Sequence, residues 1–109
     1  MAAAPALAEL LDWATDHLEA DLSVPALAAR AGMPLRTFIR HFTEATGVTP
    51  AVWVLEQRVR RAEQLLERAD ATIASVALRC GFGSADTLRR HFRRARGVSP
   101  DAYRAAFRT

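Results

Sequence analysis

Residues 28–50 are written a second time in residues 77–100. Ala28-Ala29-Arg30-Ala31-Gly32, then Thr37, Arg40-His41-Phe42, Ala45 and Gly47-Val48-Thr49-Pro50, returns as Ala77-Leu78-Arg79-Cys80-Gly81, then Thr87, Arg90-His91-Phe92, Ala95 and Gly97-Val98-Ser99-Pro100. The offset is 49 up to the first glycine and 50 from the threonine onward, so the second copy holds one extra residue after its helix-ending glycine. A gap confined to a turn is what two copies of one helix-turn-helix unit tolerate. Two such units supply two recognition helices, a layout for reading DNA.

Spacing predicts the helices that carry the repeat. Ala6-Leu7, Leu10-Leu11, Ala14 and Leu18 recur at helical intervals opposite Asp12, Asp16 and Glu19, which predicts a first helix over residues 5–19 with Trp13 at the border of its buried stripe. Ser23 before Val24-Pro25 reads as a cap, opening a short helix that stops at Gly32. From Pro34 to Thr46, Leu35, Phe38, Phe42 and Ala45 form one apolar stripe expected to face neighbouring helices. Thr49-Pro50 then starts a helix with no breaker until about Asp70, with Val52, Trp53, Leu55, Val59, Ala62, Leu65 and Leu66 on a wide apolar face and Arg58, Arg60 and Arg61 left for the rim. Thr72 caps the next short helix, with Ile73, Val76, Ala77 and Cys80 inward, and Ser84 caps one running to Arg96 with Ala85, Leu88, Phe92 and Ala95 as its stripe. Ser99-Pro100 begins a last helix in which Tyr103 and Phe107 pack back and Arg104 and Arg108 are exposed. The expected class is all-α: seven helices in two helix-turn-helix subdomains, residues 5–48 and 70–108, joined by a long linker helix over 49–69.

Charge follows the repeat. The 109 residues carry a formal net charge of +3. Residues 1–29 hold five acids and no arginine, whereas the remainder holds fifteen arginines against seven acids. Every cation is Arg. That choice suits forked hydrogen bonding to phosphate and guanine, and it is equally what codon bias in a GC-rich genome produces.

If Phe38 and Phe42 face the core, the opposite stripe of the first recognition helix holds Arg36, Ile39, Arg40 and Thr43; adding 50 gives Asp86, Arg89, Arg90 and Arg93. An α-helix fits the major groove, where Arg holds guanine O6 and N7 with two parallel bonds worth about 1–3 kcal/mol of discrimination. Arg36, Ile39, Arg40, Asp86, Arg89 and Arg90 are the candidate base contacts. Ile39 is either a packing residue or a partner for a thymine methyl. Asp86 either favours its helix dipole or reads cytosine N4, and it can also orient Arg89 or Arg90. Thr37, Thr43, Ser84, Thr87, Arg93 and Arg94 are the candidate phosphate contacts, with local capping as the alternative for Thr37 and Thr87. Arg96 belongs by position with the phosphate clamps.

Other chemistry finds little footing. His17, His41 and His91 lie on separate helices without paired ligands at metal spacing, and Cys80 reads as a small core residue. The lone cysteine excludes an internal disulfide, and no apolar run is long enough for a membrane span. Ala2-Ala3-Ala4 after Met1 lacks the basic start of a signal peptide, so the expectation is a cytoplasmic, nucleoid-associated protein that is no enzyme and needs no cofactor.

The segments Leu27–Met33, Arg36-Thr37-Phe38, Phe42 and Thr46–Pro50, then Val76-Ala77, Cys80-Gly81-Phe82, Ser84, Leu88, Arg90, Phe92-Arg93, Gly97–Pro100 and Tyr103-Arg104, resemble the DNA-binding domain of AraC/XylS-type transcription regulators. The resemblance covers roughly residues 5–108. It implies seven helices, two recognition helices in successive major grooves, double-stranded DNA as partner, and often activation through RNA polymerase. The arginine-rich wording looks most like bacterial regulators whose N-terminal partner domain resembles class I glutamine amidotransferases. Two departures stand out: Pro34-Leu35 occupy the place where the family usually has Ser then Pro, and Ile39 stands where polar base readers are common.

The expected function is sequence-specific DNA binding for transcriptional regulation, by a domain monomeric in isolation whose two heads are spaced near one turn of DNA, about 34 Å. The rival is a helical protein-interaction module that docks an acidic partner on its arginine-rich faces.

Overall fold

A computed structural model describes residues 3–108. Met1 and Ala2, on which the reading of the chain start rests in part, lie outside them. Among the described residues there are seven helices and no strand: α1 Ala3–Asp16, α2 Val24–Ala31, α3 Leu35–Thr46, α4 Pro50–Arg68, α5 Ile73–Cys80, α6 Ala85–Arg96 and α7 Pro100–Phe107. No helix among them is long and apolar enough to cross a membrane.

Local chemistry sets most of the boundaries. Ser23, Thr72, Ser84 and Ser99 each accept a hydrogen bond from the backbone N–H three residues on, which satisfies a donor that the first helical turn leaves orphaned. Thr49 does the same for Val52 at the start of α4. Pro34 takes the cap position of α3 with no side-chain bond, in keeping with the missing serine.

The turn after α2 and the turn after α5 explain the change of offset in the repeat. Gly32 adopts φ +70° and Gly81 φ +88°. In the first turn Gly32 N–H donates to Ala29 O and Met33 N–H to Ala28 O; in the second, Gly81 N–H donates to Leu78 O and Phe82 N–H to Ala77 O. These are the paired bonds of one helix-ending motif, so Met33 and Phe82 are equivalent. The extra residue is therefore Gly83, which at φ +82° carries the chain to the Ser84 cap.

The chain divides into two compact units between Val54 and Leu55, inside α4. In the first, α1, α2 and α3 pack together around Leu10, Ala14, Leu27, Phe38, Phe42 and Val54. Phe42 meets Phe38 at 5.7 Å and the edge of Trp53 at 5.9 Å. In the second, α5, α6 and α7 surround Val59, Leu66, Val76, Cys80, Leu88 and Phe92. Phe92 meets Tyr103 edge-on at 5.5 Å, repeating the Phe42–Trp53 contact fifty residues later.

Several expectations need correction. The first helix ends at Asp16 rather than residue 19: the His17 ring stacks on Trp13 at 4.5 Å and donates from Nδ1 to Trp13 O, and the chain turns before burying Leu18. Leu35 and Ala45 are exposed, as is Ala95. α3 and α6 are anchored by Phe38 and Phe42, and by Leu88 and Phe92, one turn apart, and Leu35, Ala45 and Ala95 project beyond that anchor. Val52 also faces outward, because Trp53 and Val54 occupy the inward side of that turn.

The last helix is reversed in detail. Phe107 is 56% exposed although its ring stacks on Tyr103, while Arg104 and Arg108 are tied to the end of α4. Arg104 donates to Leu66 O and Ala69 O, and Arg108 to Ala69 O and Asp70. α4 ends without a glycine, so these cations serve its terminal carbonyls and the negative end of its dipole.

Candidate nucleic-acid interface

Each unit sets out one helix with its apolar side buried and its polar side bare. On α3, Phe38 and Phe42 are sealed in the core, so Arg36, Ile39 and Arg40 emerge on the other side with Thr43 at the margin. These four and Glu44 line a shallow groove of about 390 Å³. Ile39 is 37% exposed and takes no part in the core. On α6, Leu88 and Phe92 are inward and Asp86, Arg89, Arg90, Arg93 and Arg94 are exposed.

The arginines fall into two sets that sequence alone did not separate. Arg36, Arg40, Arg90, Arg93 and Arg94 make no ion pair or side-chain hydrogen bond among the described residues. Their guanidinium donors remain available. By contrast Arg60 pairs with Glu56 and Arg30 lies 3.4 Å over the Trp13 ring.

Arg96 is the clearest reassignment. It points away from a phosphate-clamp role, with Nε 2.8 Å from Glu63 and Nη2 2.8 Å from Glu56. Two weaker bonds to the same carboxylates complete the clamp, which fastens the last turn of α6 to α4. The bonds to Arg96 hold the Glu56 carboxyl below its ordinary range. Nearby, the Tyr103 hydroxyl donates to Glu67, which pushes its pKa up to about 12.

Among the other candidates, Arg89 is held between two acids, with Nη1 3.5 Å from Asp86 and Nε 4.0 Å from Asp101. Asp86 thus combines a first-turn position with an ion pair. The Ser84 hydroxyl accepts from Thr87 N–H and donates to Thr87 Oγ1, so both side chains take part in capping α6. Thr37 and Thr43 are half-buried.

The two core-side titratable groups have distinct causes. His91 stacks on Phe82 at 5.9 Å and its Nδ1 is buried without a partner; burial first, then Arg90 and Arg94, lower its pKa. Burial pushes the Cys80 thiol up to about 11, which makes it inert packing. Sequence reasoning missed the Arg96 clamp and the Arg30–Trp13 stack. The only available signal was the row Glu56, Glu63 and Glu67 on one side of a helix, which names no partner by itself.

Comparison with known proteins places this geometry. Residues 27–106 match the model of a helix-turn-helix domain family. The HTH-type transcriptional regulator Rv1931c of Mycobacterium tuberculosis is 46% identical over 81 residues, covering 74% of this chain and 31% of that protein. The HTH-type transcriptional activator RhaS of Klebsiella pneumoniae is 34% identical over 94 residues, covering 86% of this chain and 34% of that one. The chain therefore spans about a third of the length of these relatives. Among solved structures, the DNA-binding domain of the global transcriptional factor AdpA, in complex with a target DNA, superposes with a TM-score of 0.90 at 52% identity over 94% of this chain and 92% of that one. An AraC-type regulator from Chromobacterium violaceum gives a TM-score of 0.83 at 30% identity, with 94% and 92% covered. With two helix-turn-helix units, their shared aromatic contacts and these relatives, the chain belongs to the AraC/XylS-type helix-turn-helix domains of transcription regulators.

Proposed function

We propose that this chain binds double-stranded DNA in a sequence-specific manner and serves transcriptional regulation, with α3 and α6 each entering a major groove. One observation carries the reading: on each of the two helices arginines without an ion pair among the described residues stand on the side opposite a sealed core. They are Arg36 and Arg40 on α3 and Arg90, Arg93 and Arg94 on α6, with Arg40 and Arg90 at the same place in the repeat. Guanidinium groups held this way lose no protein partner on meeting guanine or phosphate. The DNA complex of the AdpA domain, at 52% identity, supports the same partner here.

Arg36, Ile39 and Arg40 are the readers of the first head and Arg89 and Arg90 those of the second, with Asp86 beside them. Thr37, Thr43, Ser84, Thr87, Arg93 and Arg94 contact phosphates. Residues 5–48 and 70–108 act as the two heads and 49–69 as the helix between them, so the site spans about two turns of duplex and is asymmetric. The isolated domain works as a monomer in the cytoplasm. In the complete regulator it approaches RNA polymerase from a bound site, and the chain itself performs no catalysis.

Selection of bound sites from random DNA tests this directly. Arg40→Ala is expected to relax base preference in one half of the selected site and Arg90→Ala in the other. Equal losses on selected and random DNA from both variants would refute the reader assignment. Log affinity is expected to fall with log salt at a slope near −0.9 per phosphate contacted. A flat response would remove DNA as the partner and favour an acidic protein.

A further inference from the structure

The two copies of the repeat differ at three positions that bring acids to an arginine. Positions 36, 39 and 51 of the first copy hold Arg, Ile and Ala; their counterparts fifty residues on are Asp86, Arg89 and Asp101. Arg89 alone among the proposed readers is therefore flanked by carboxylates, one from its own helix and one from α7. Asp101 lies in the first turn of α7, which Ser99 caps and which packs on α6, so its carboxylate is carried on a second, anchored element.

We propose that Asp101, from outside the recognition helix, is a positioning residue that sets the base preference of Arg89. This rests on the DNA-binding reading above. A guanidinium has five N–H donors in a fixed plane. Asp101 sits at the Nε edge and Asp86 at Nη1. At 3.5 and 4.0 Å these are charge contacts that leave the Nη2 edge clear, so the guanidinium can still offer the two parallel bonds that guanine O6 and N7 accept. The two carboxylates hold the side chain against swinging to a phosphate, where it would bind any sequence. They also place negative charge beside the contacted base pair, which disfavours a misplaced acceptor there. The first head has Ala51 in place of Asp101, and Arg36 and Arg40 have no carboxylate partner among the described residues.

The test uses this chain and duplexes selected by it from random DNA, each compared with the same duplex changed at single base pairs. Asp101 is well exposed and its carboxylate makes no hydrogen bond in the core, so Asp101→Asn folds. An exposed pair of this kind contributes modestly, so Asp101→Asn is expected to lower discrimination at one base pair of the second half-site by about two- to fivefold, with the first half-site unaffected. Asp101→Glu should restore it. In an Arg89→Ala background Asp101→Asn should change no ratio. Unaltered discrimination in Asp101→Asn, or an equal change with and without Arg89, would overturn the proposal while leaving DNA binding intact. A wild-type chain with no base preference at all would overturn the DNA-reading assignment itself, and this inference with it.

Discussion

Replacing Arg96 by alanine is expected to loosen the second unit more than any other single arginine change. The guanidinium gives four hydrogen bonds to Glu56 and Glu63, the two shortest at 2.8 Å, and its side chain is 24% exposed against 36% and 21% for its partners. Breaking a fully buried pair costs about 3–5 kcal/mol, whereas an exposed pair is worth about 0.2–1 kcal/mol. A clamp covered to this degree and still screened by water falls between, at about 2 kcal/mol, with the two carboxylates left to repel one another. For a cooperative unit of this size each kcal/mol moves the melting temperature by roughly 4–8 °C, so Arg96→Ala should melt about 10–15 °C lower. Thermal unfolding followed by circular dichroism measures this, and hydrogen exchange should place the added opening in α6 and α7 rather than α1 to α3. The combined variant Arg96→Met, Glu56→Gln, Glu63→Gln should recover much of the loss, because the only charge that loses its partner is Arg60, whose side chain is exposed to water. The sign with pH is also determined. Glu56 is held below its ordinary value of 4.5, so its contribution is present above that value and lost as pH falls through its lower folded value; Arg96→Ala should flatten this acid limb. An Arg96→Ala melt within about 2 °C of wild type would refute the assignment of the clamp as a stabilising element.

Three further outcomes are expected. His91 has a lowered folded pKa, so the unfolded chain binds its proton first and stability should decline as pH falls below the ordinary histidine value of 6.5; His91→Gln should reduce that slope in melts between pH 8 and 5.5. Cys80 should resist thiol reagents in the folded chain at pH 7.5 and react at the rate of global opening, and fast labelling in native buffer would contradict its burial. Gly47→Ala should cost about 1 kcal/mol in denaturant unfolding: a Cβ there meets nothing within 4 Å, so only the left-handed backbone at φ +82° is strained.

The helices and their order were legible in the chain because the signals that make them are local. A hydroxyl before a helix, a proline in its first turn and a glycine in the left-handed region after it act within a few residues, and Ser23, Thr72, Ser99 and Gly97 behave in the structure as their positions predict. The burial of Phe38, Phe42, Leu88 and Phe92 follows from spacing alone. Where α1 ends did not follow from apolar spacing, since Leu18 is buried beyond the helix by a turn that the Trp13–His17 stack introduces. The overreach at Leu35 and Ala45 has a similar origin: periodicity marks a face, but only neighbouring helices determine how much of it they cover.

Within the amino-acid order itself lay the doubled helix-turn-helix, the aromatic anchors of α3 and α6 and the arginine-rich composition of their outer faces, all consequences of spacing along one helix. Which arginines are left without a carboxylate partner was decided only in three dimensions. Arg94 and Arg96 stand two residues apart in the same helical turn, yet one is unpaired and the other is clamped by carboxylates 33 and 40 residues away. A charge is recruited or left available by whatever the tertiary fold brings within about 4 Å of it, and that distance has no counterpart in residue number.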